Sequence, residues 1–140
     1  MARPTSFRLR DDLLERLDSE AAATGTSVSA LVASVLDEGL KTRRFPGIVY
    51  RDGPTGRRAG LLGGPDVWEV VRAVRGMVAQ GEQRVRRVAA ERALPVERVR
   101  LAVDFYAEFP DEVDARITAD EVAARHAREL IERRERLMTS

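Results

Sequence analysis

Three polar residues alternate along a short N-terminal stretch in a pattern suited to binding an anion. Within residues 5–10, every second position carries a guanidinium or a hydroxyl, at Ser6, Arg8 and Arg10. Successive side chains of a β-strand face opposite sides, so a strand here separates these groups from Phe7 and Leu9. No acidic residue lies within the stretch. The pattern therefore predicts an anion-binding face; an ion pair with Asp11 or Asp12 is the alternative.

The elements that follow predict that this strand pairs with a second copy of the chain. Asp11 is a candidate cap for a helix over residues 12–23, which Gly25 ends in a left-handed conformation. Ser27 is a candidate cap for a second helix over residues 28–40. A lone strand is unstable in water, and about 45 residues bury too little apolar surface to fold alone. We therefore expect a dimer.

This strand-helix-helix unit resembles the ribbon-helix-helix family of the MetJ, Arc and VapB type. In that family two strands pair across a dimer and enter the DNA major groove. The resemblance implies that Ser6, Arg8 and Arg10 read base edges, since the arginine fork pairs with guanine O6 and N7. It also implies that backbone amides at the start of the second helix hold a phosphate, at Ser27, Val28 and Ser29.

A hairpin and further helices are predicted beyond the first unit. Residues 48–51 and 57–61 form two strands around a glycine-containing turn, and a helix with Pro65 at its first position follows, with Trp68 in the core. Two helices meeting near Pro95 resemble a helix-turn-helix. Candidate secondary DNA contacts are Arg57, Arg58, Arg98 and Arg100. The alternative is a salt-bridged surface with Glu91, Glu97 and Asp104 as partners.

Residues 46–114 are similar to a small helical domain found in antitoxin-type proteins. The ending carries the similarity: an aromatic pair, Phe105 and Tyr106, precedes a Pro-x-Glu-hydrophobic-Asp run that ends at Asp114. Such antitoxins commonly partner a PIN-domain ribonuclease toxin. The resemblance therefore implies a toxin-antitoxin role.

The last segment predicts an amphipathic helix. Residues 118–121 form a capping-box pattern, which opens a helix over residues 118–140 with a narrow apolar stripe. By resemblance to VapB-type antitoxins, this helix lies in a toxin groove, with candidate contacts at Leu130, Arg133, Arg134 and Arg136. The alternative is packing on its own domain or on the dimer mate. His126 is interpreted as a surface or interface residue.

Composition favours a small intracellular regulator over an enzyme. The chain has 140 residues, net charge +1, no cysteine and one histidine. No catalytic constellation, cofactor motif or metal-ligand spacing is present, so we expect no enzyme, cofactor or metal site. The acidic residues near 111–114 are interpreted as the start of a helix. No signal peptide or membrane-spanning run is visible, and we expect a cytoplasmic location.

The sequence predicts a mainly α chain in three parts. Residues 1–42 form the ribbon-helix-helix, residues 43–117 the hairpin and helix-turn-helix-like domain, and residues 118–140 the C-terminal helix. The predicted function is sequence-specific operator binding by a homodimer or tetramer that represses its own operon and neutralises a protein toxin. The alternative is a dimeric protein-interaction module that does not bind DNA.

Overall fold

The computed structural model describes residues 2–140, which are mainly helical as predicted. The chain divides into two compact units, an N-terminal unit that ends at Arg44 and a C-terminal unit, Phe45–Ser140. The N-terminal unit contains helices α1 (Asp11–Thr24) and α2 (Val28–Arg44). The C-terminal unit contains β1 (Ile48–Arg51), β2 (Arg58–Leu61), α3 (Val67–Gly76), α4 (Glu82–Arg92), α5 (Val96–Glu108) and α6 (Pro110–Thr139).

The turn between α1 and α2 follows the predicted local signals. Gly25 adopts the left-handed conformation at φ 67°, and the N–H of Thr26 donates to the carbonyl of Ala21 at 3.0 Å. Ser27 Oγ accepts the N–H of Ala30 at 3.1 Å, so the predicted cap of α2 is confirmed. Glycine is suited to this turn because it lacks the Cβ that disfavours positive φ.

Two helix boundaries in this unit, the start of α1 and the end of α2, differ from the prediction. The cap position of α1 is Arg10, in extended conformation, so the expectation that Asp11 caps the helix is wrong. Asp11 instead lies in the first turn, where the helix dipole favours a carboxylate. α2 runs to Arg44 rather than ending near residue 40. Lys41 Nζ donates to Asp37 at 2.8 Å, and cations in the last turn are favoured by the dipole.

The C-terminal unit begins with the predicted hairpin. β1 and β2 pair antiparallel, with Ile48 opposite Leu61 and Arg51 opposite Arg58. The following helix starts later than expected, since Asp66 is the cap residue and forms a capping box with Glu69. Pro65 therefore precedes the cap and does not occupy the first helical position. In this capping box the side chains of Asp66 and Glu69 each accept one backbone N–H near the helix start, and a proline side chain cannot accept one.

The core of this unit lies between the hairpin and helices α3 to α6. Its fully buried side chains include Leu61, Val88, Val99 and Phe105. Phe105 contacts Phe45 edge-on, with ring centroids 5.5 Å apart. Trp68, predicted to be buried, is only half-buried at the edge of this core. Four helices and a hairpin thus share a single apolar interior.

Helix α6 is continuous over thirty residues, which overturns the predicted helix start near residue 118. Pro110 occupies the first turn and Asp111 and Glu112 follow it, as interpreted from the sequence. The capping-box pattern at residues 118–121 lies inside the helix because the preceding turns are stabilised by packing: Val113 and Ile117 are buried against the unit's core.

Candidate nucleic-acid interface

The N-terminal arm, residues 2–10, is exposed along its whole length. Ser6, Arg8 and Arg10 are all accessible to a partner. Arg10 Nε lies 3.3 Å from Asp12 Oδ1, but these side chains are 79% and 62% exposed. An exposed ion pair of this kind contributes only about 0–1 kcal/mol, so it leaves Arg10 able to exchange Asp12 for another anion.

The arm, residues 2–10, forms no strand in the single chain described, where the predicted partner, a second copy, is not present. The two described strands of the chain, β1 and β2, pair with each other in the C-terminal unit. Pairing of the arm therefore stays a prediction that a single chain does not test.

The apolar side of the arm adjoins an uncovered cleft of about 350 Å³. Its lining is almost entirely apolar: Phe7, Arg8, Leu9, Leu13, Leu17, Val32, Val35 and Leu36. Phe7 is 75% exposed and Leu36 53% exposed, and Ala21 is the one buried residue among the described positions of the N-terminal unit. So little buried apolar surface is typical of a unit that is stabilised by a partner.

The start of α2, in the same unit as the arm, offers unpaired backbone donors. The N–H groups of Val28 and Ser29 precede the first intrahelical hydrogen bond, which Leu31 makes to Ser27 at 3.0 Å. No acidic residue lies in the first turn of this 17-residue helix. The helix dipole and these donors suit a phosphate, and phosphate binding at Ser27, Val28 and Ser29 stays a prediction.

The four candidate arginines of the C-terminal unit have partners inside that unit. Arg58 Nε donates to Asp66 at 2.6 Å, and Arg57 lies 3.3 Å from Asp52. Arg98 donates to the carbonyl of Leu62.

Arg100 donates from Nε to Glu82 at 2.7 Å, and this hydrogen bond raises the pKa of the guanidinium. Glu82 is not among the three acids expected from the sequence, but two of those three, Glu97 and Asp104, also interact electrostatically with Arg100 and raise its pKa. The exposed residues of α5 include Glu97, Asp104 and Glu108, whose negative charges would repel the phosphates of a DNA backbone. The arrangement favours the salt-bridged alternative for this surface.

An ion-pair cluster around Asp66 was missed by the sequence analysis. Asp66 is 6% exposed and accepts hydrogen bonds from Arg51 Nε at 2.9 Å, Arg58 Nε at 2.6 Å and Trp68 Nε1 at 3.2 Å. Burial raises the pKa of Asp66, but the hydrogen bonds from Arg51 and Arg58 outweigh it, and the pKa is lowered overall. The carboxylate joins both strands to the start of α3.

Glycine allows these guanidiniums to lie against the hairpin backbone. A Cβ on Gly60 would lie 2.2 Å from Arg51 Nη2, and one on Gly53 would lie 1.1 Å from Arg58 Nη1. A cleft of about 390 Å³ opens beside the cluster, and Arg116 on its wall donates to the carbonyl of Thr55 at 2.9 Å from both terminal nitrogens. The cluster holds the two strands of the hairpin together and against the start of α3.

The last turns of α6 carry the residues predicted to contact a toxin. From Glu121 onward every residue except the half-buried Ala124 is exposed. A helix turns about 100° per residue, so Leu130 and Arg134 share one face. Arg133, three residues after Leu130, lies at the edge of this face, and Arg136 points away from it. His126 is exposed, as the sequence indicated.

Residues 2–140 contain neither a metal-ligand cluster nor a membrane-spanning helix. No grouping of three or more histidine, aspartate or glutamate side chains there is placed to hold a metal ion. Nor does any helix in this range have the length and apolarity to cross a bilayer.

Comparison with known protein families finds a match in the N-terminal unit. Residues 3–41 match a family of ribbon-helix-helix proteins, a class whose members are typically DNA-binding transcription regulators that bind as dimers. The matching family is the copG family. No curated protein and no solved structure matches the chain. The match thus covers the arm, α1 and most of α2, the part that contains the candidate base-reading and phosphate-binding residues.

Proposed function

We propose that the chain is a dimeric, sequence-specific DNA-binding regulator that represses its own operon. The observation that carries the proposal is the N-terminal arm: guanidiniums at Arg8 and Arg10 are exposed, and the apolar residues between them adjoin an uncovered apolar cleft. A second copy that covers the cleft brings two arms together. Paired antiparallel, they present a ribbon with four guanidiniums on one face.

Base reading and phosphate binding divide between two parts of this unit. Arg8 and Arg10, with Ser6, contact base edges in the major groove, and the fork of each arginine suits guanine. The amides of Val28 and Ser29 hold a phosphate and set the position of the ribbon. The four candidate arginines of the C-terminal unit are assigned no primary role, because each has a partner within the chain.

The test is binding of the full chain to its own promoter fragment and to a scrambled fragment at two salt concentrations. Arg8→Ala/Arg10→Ala is expected to abolish the preference for the promoter, because it removes the base contacts, whereas the salt dependence of wild-type binding comes from neutralised phosphates. Arg8→Ala alone is expected to cost about 1–3 kcal/mol at one base position.

The matched control is Arg16→Ala/Arg125→Ala, which removes the same charge from exposed positions outside the arm. It is expected to keep the promoter preference. Equal binding of both fragments by the wild-type protein would refute the proposal and favour the DNA-independent interaction module. Loss of the folded dimer in the Arg8→Ala/Arg10→Ala variant would make these arginines structural.

A second role, neutralisation of a PIN-type ribonuclease toxin, is favoured by the exposed end of α6. Its apolar side chains include Leu130, which is 50% exposed, beside Arg134 on the same face. Co-expression with a PIN-domain ribonuclease tests this role, and Leu130→Asp is expected to abolish both co-purification and inhibition of the ribonuclease. A ribonuclease that stays active beside the wild-type chain would rule that toxin out as the partner.

A further inference from the structure

A polar cleft in the C-terminal unit lies between the hairpin turn, the start of α3 and the first half of α6. Its volume of about 390 Å³ falls within the range of small-molecule sites, roughly 300–1,000 Å³. Helix α6 contributes Arg116, Asp120 and Ala123, whose spacing places them on one face of the helix. The apolar part of the wall is formed by Pro54, Pro65, Trp68 and Ala123.

Arg116 lies at this cleft without a carboxylate partner in the part of the chain that the structure describes. Both of its terminal nitrogens donate to the carbonyl of Thr55, at 2.9 Å each. A guanidinium has five N–H groups in one plane, so about three remain for another acceptor. The two donations hold the group in place before a ligand binds, which lowers the cost of binding.

The guanidinium of Arg58 lies beside the same turn of the hairpin. Arg58 Nη1 is 3.5 Å from the carbonyl oxygen of Gly56, and Arg116 Nη1 is 3.4 Å from the position that a Cβ on Gly56 would occupy. The two cations therefore flank one glycine. Asp66 does not balance them, because this carboxylate is shared between Arg58 and Arg51. Like charges so placed repel each other, and an anion bound between them offsets that repulsion.

The charges around the cleft favour a ligand with a single negative charge. Asp66, Glu69 and Asp120 line it together with three arginines. Arg72 adds a fourth guanidinium beside the cleft, where it pairs with Asp120 at 2.5 Å. The local excess is thus one positive charge. A carboxylate neutralises this excess, whereas a doubly charged phosphate leaves a negative surplus next to three carboxylates.

The apolar wall indicates the shape of the rest of the ligand. Trp68 is half-buried, and its Nε1 donates to Asp66 at 3.2 Å, which holds the indole in one orientation. The rings of Pro54 and Pro65 are rigid, and Ala123 leaves room because its side chain is small. A flat apolar group packs well on such a surface. Small-molecule sites typically combine an apolar wall with a few fixed polar groups in this way.

We propose that this cleft binds a small organic monocarboxylate. The carboxylate lies between Arg58 and Arg116, and the apolar body packs against Trp68. Charge-assisted hydrogen bonds from guanidinium to carboxylate are about twice as strong as neutral ones, so the two arginines provide most of the selectivity for an anion. All of these residues belong to the C-terminal unit, so binding requires neither DNA nor a second copy.

Calorimetric titration of the full chain with phenylacetate tests the proposal. This probe has one carboxylate and one flat apolar ring, and phenylacetamide has nearly the same shape without the charge. Phenylacetate is expected to bind with a Kd of about 1 mM or tighter, and phenylacetamide and inorganic phosphate at least about tenfold more weakly. The proposal would be overturned by no saturable heat with phenylacetate up to about 10 mM, or by equal affinity for either comparison compound.

Substitution of the unpaired arginine tests the polar half of the site. Arg116→Gln removes the charge and keeps a donor for the Thr55 carbonyl, and it is expected to weaken phenylacetate binding at least about tenfold. The matched control is Arg125→Gln, at an exposed position of α6 outside the cleft, which is expected to keep the wild-type affinity. Equal affinities of the two variants would contradict the role of Arg116.

A second substitution tests the cleft without changing its charge. Ala123→Phe fills the space beside Trp68 and is expected to abolish binding, whereas Ala127→Phe, one turn further along α6, is expected to leave it unchanged. Wild-type affinity in Ala123→Phe, or an equal loss in both variants, would show that the probe binds elsewhere. Denaturation of each variant without the probe verifies that it is folded.

Fluorescence of Trp68 locates the probe independently, because Trp68 is the one tryptophan of the chain and lines the cleft. Its emission is expected to change with the Kd that calorimetry measures, and an unchanged emission at saturation would overturn the proposal. The result is separable from the proposed DNA-binding function. Arg116→Gln lies outside the N-terminal unit and is expected to keep the promoter preference.

Discussion

Replacement of Asp66 by asparagine tests how strongly the ion-pair cluster stabilises the C-terminal unit. Asparagine caps a helix about as well as aspartate does, so Asp66→Asn removes the charge and keeps the cap of α3. The variant leaves Arg51 and Arg58, whose side chains are 34% and 20% exposed, without their shared carboxylate.

The expected cost is about 2–3 kcal/mol. Breaking a buried pair by removing one partner typically costs about 3–5 kcal/mol. We reduce this figure because both guanidiniums reach solvent and are partly rehydrated. For a unit of this size the loss corresponds to a fall of roughly 10–20 °C in Tm. Asp66→Ala is expected to cost about 1 kcal/mol more, since it also removes the cap.

Fluorescence of Trp68 during denaturation measures this effect in the full chain. Trp68 is the one tryptophan and donates directly to Asp66, so its signal reports unfolding of the C-terminal unit. Asp52→Asn provides the matched control, because Asp52 is 87% exposed in its pair with Arg57. Its expected cost is below about 1 kcal/mol. Equal destabilisation by the two variants would refute the assigned role of Asp66.

The pH dependence gives an independent check. The pKa of Asp66 is lowered in the folded protein from its ordinary 3.8, so the unfolded chain binds a proton more readily. The stabilisation is therefore complete above the unfolded pKa and is lost as pH falls through the lower folded pKa. The stability difference between wild type and Asp66→Asn should stay constant from neutral pH to about 5 and shrink below about 4. A constant difference at acid pH would contradict the charge argument.

Two further substitutions test the end of helix α4 and the packing of the core in the C-terminal unit. Ala93→Gly is expected to stabilise the C-terminal unit by about 0.5–1 kcal/mol, because Ala93 ends α4 at a φ of 52°, where a Cβ is unfavourable; a lower denaturation midpoint would contradict this. Phe105→Ala is expected to cost about 3–5 kcal/mol, because Phe105 is fully buried. The same fluorescence assay measures it, and a loss below 1 kcal/mol would show that the core closes over the cavity.

Local signals predicted the elements well where a few adjacent residues determine the backbone. Gly25 and Ser27 are examples, since a left-handed residue and a cap act within one turn. The hairpin likewise followed from its glycine-containing turn. Base-reading and phosphate-binding residues were placed by resemblance, and the structure brings them into one unit without testing their contacts with DNA.

Other features depend on contacts between distant parts of the chain and could not be predicted in this way. Arg51, Arg58 and Asp66 form one cluster only because the hairpin register sets the two arginines opposite each other. The helix start expected near residue 118 failed for a related reason. Its capping-box pattern is locally valid, but burial of Val113 and Ile117 carries the preceding helix through it.

The scarcity of buried residues in the N-terminal unit has a consequence for dosage. Because Ala21 is its one buried residue among the described positions, folding of the unit and assembly of the proposed dimer would be one equilibrium. The concentration of ribbons then rises with the square of the chain concentration when chains are scarce. Halving the supply of chain reduces the ribbons about fourfold in that regime, by mass action. Operator occupancy would thus respond more steeply to synthesis and degradation of the chain than a monomeric DNA-binding domain allows.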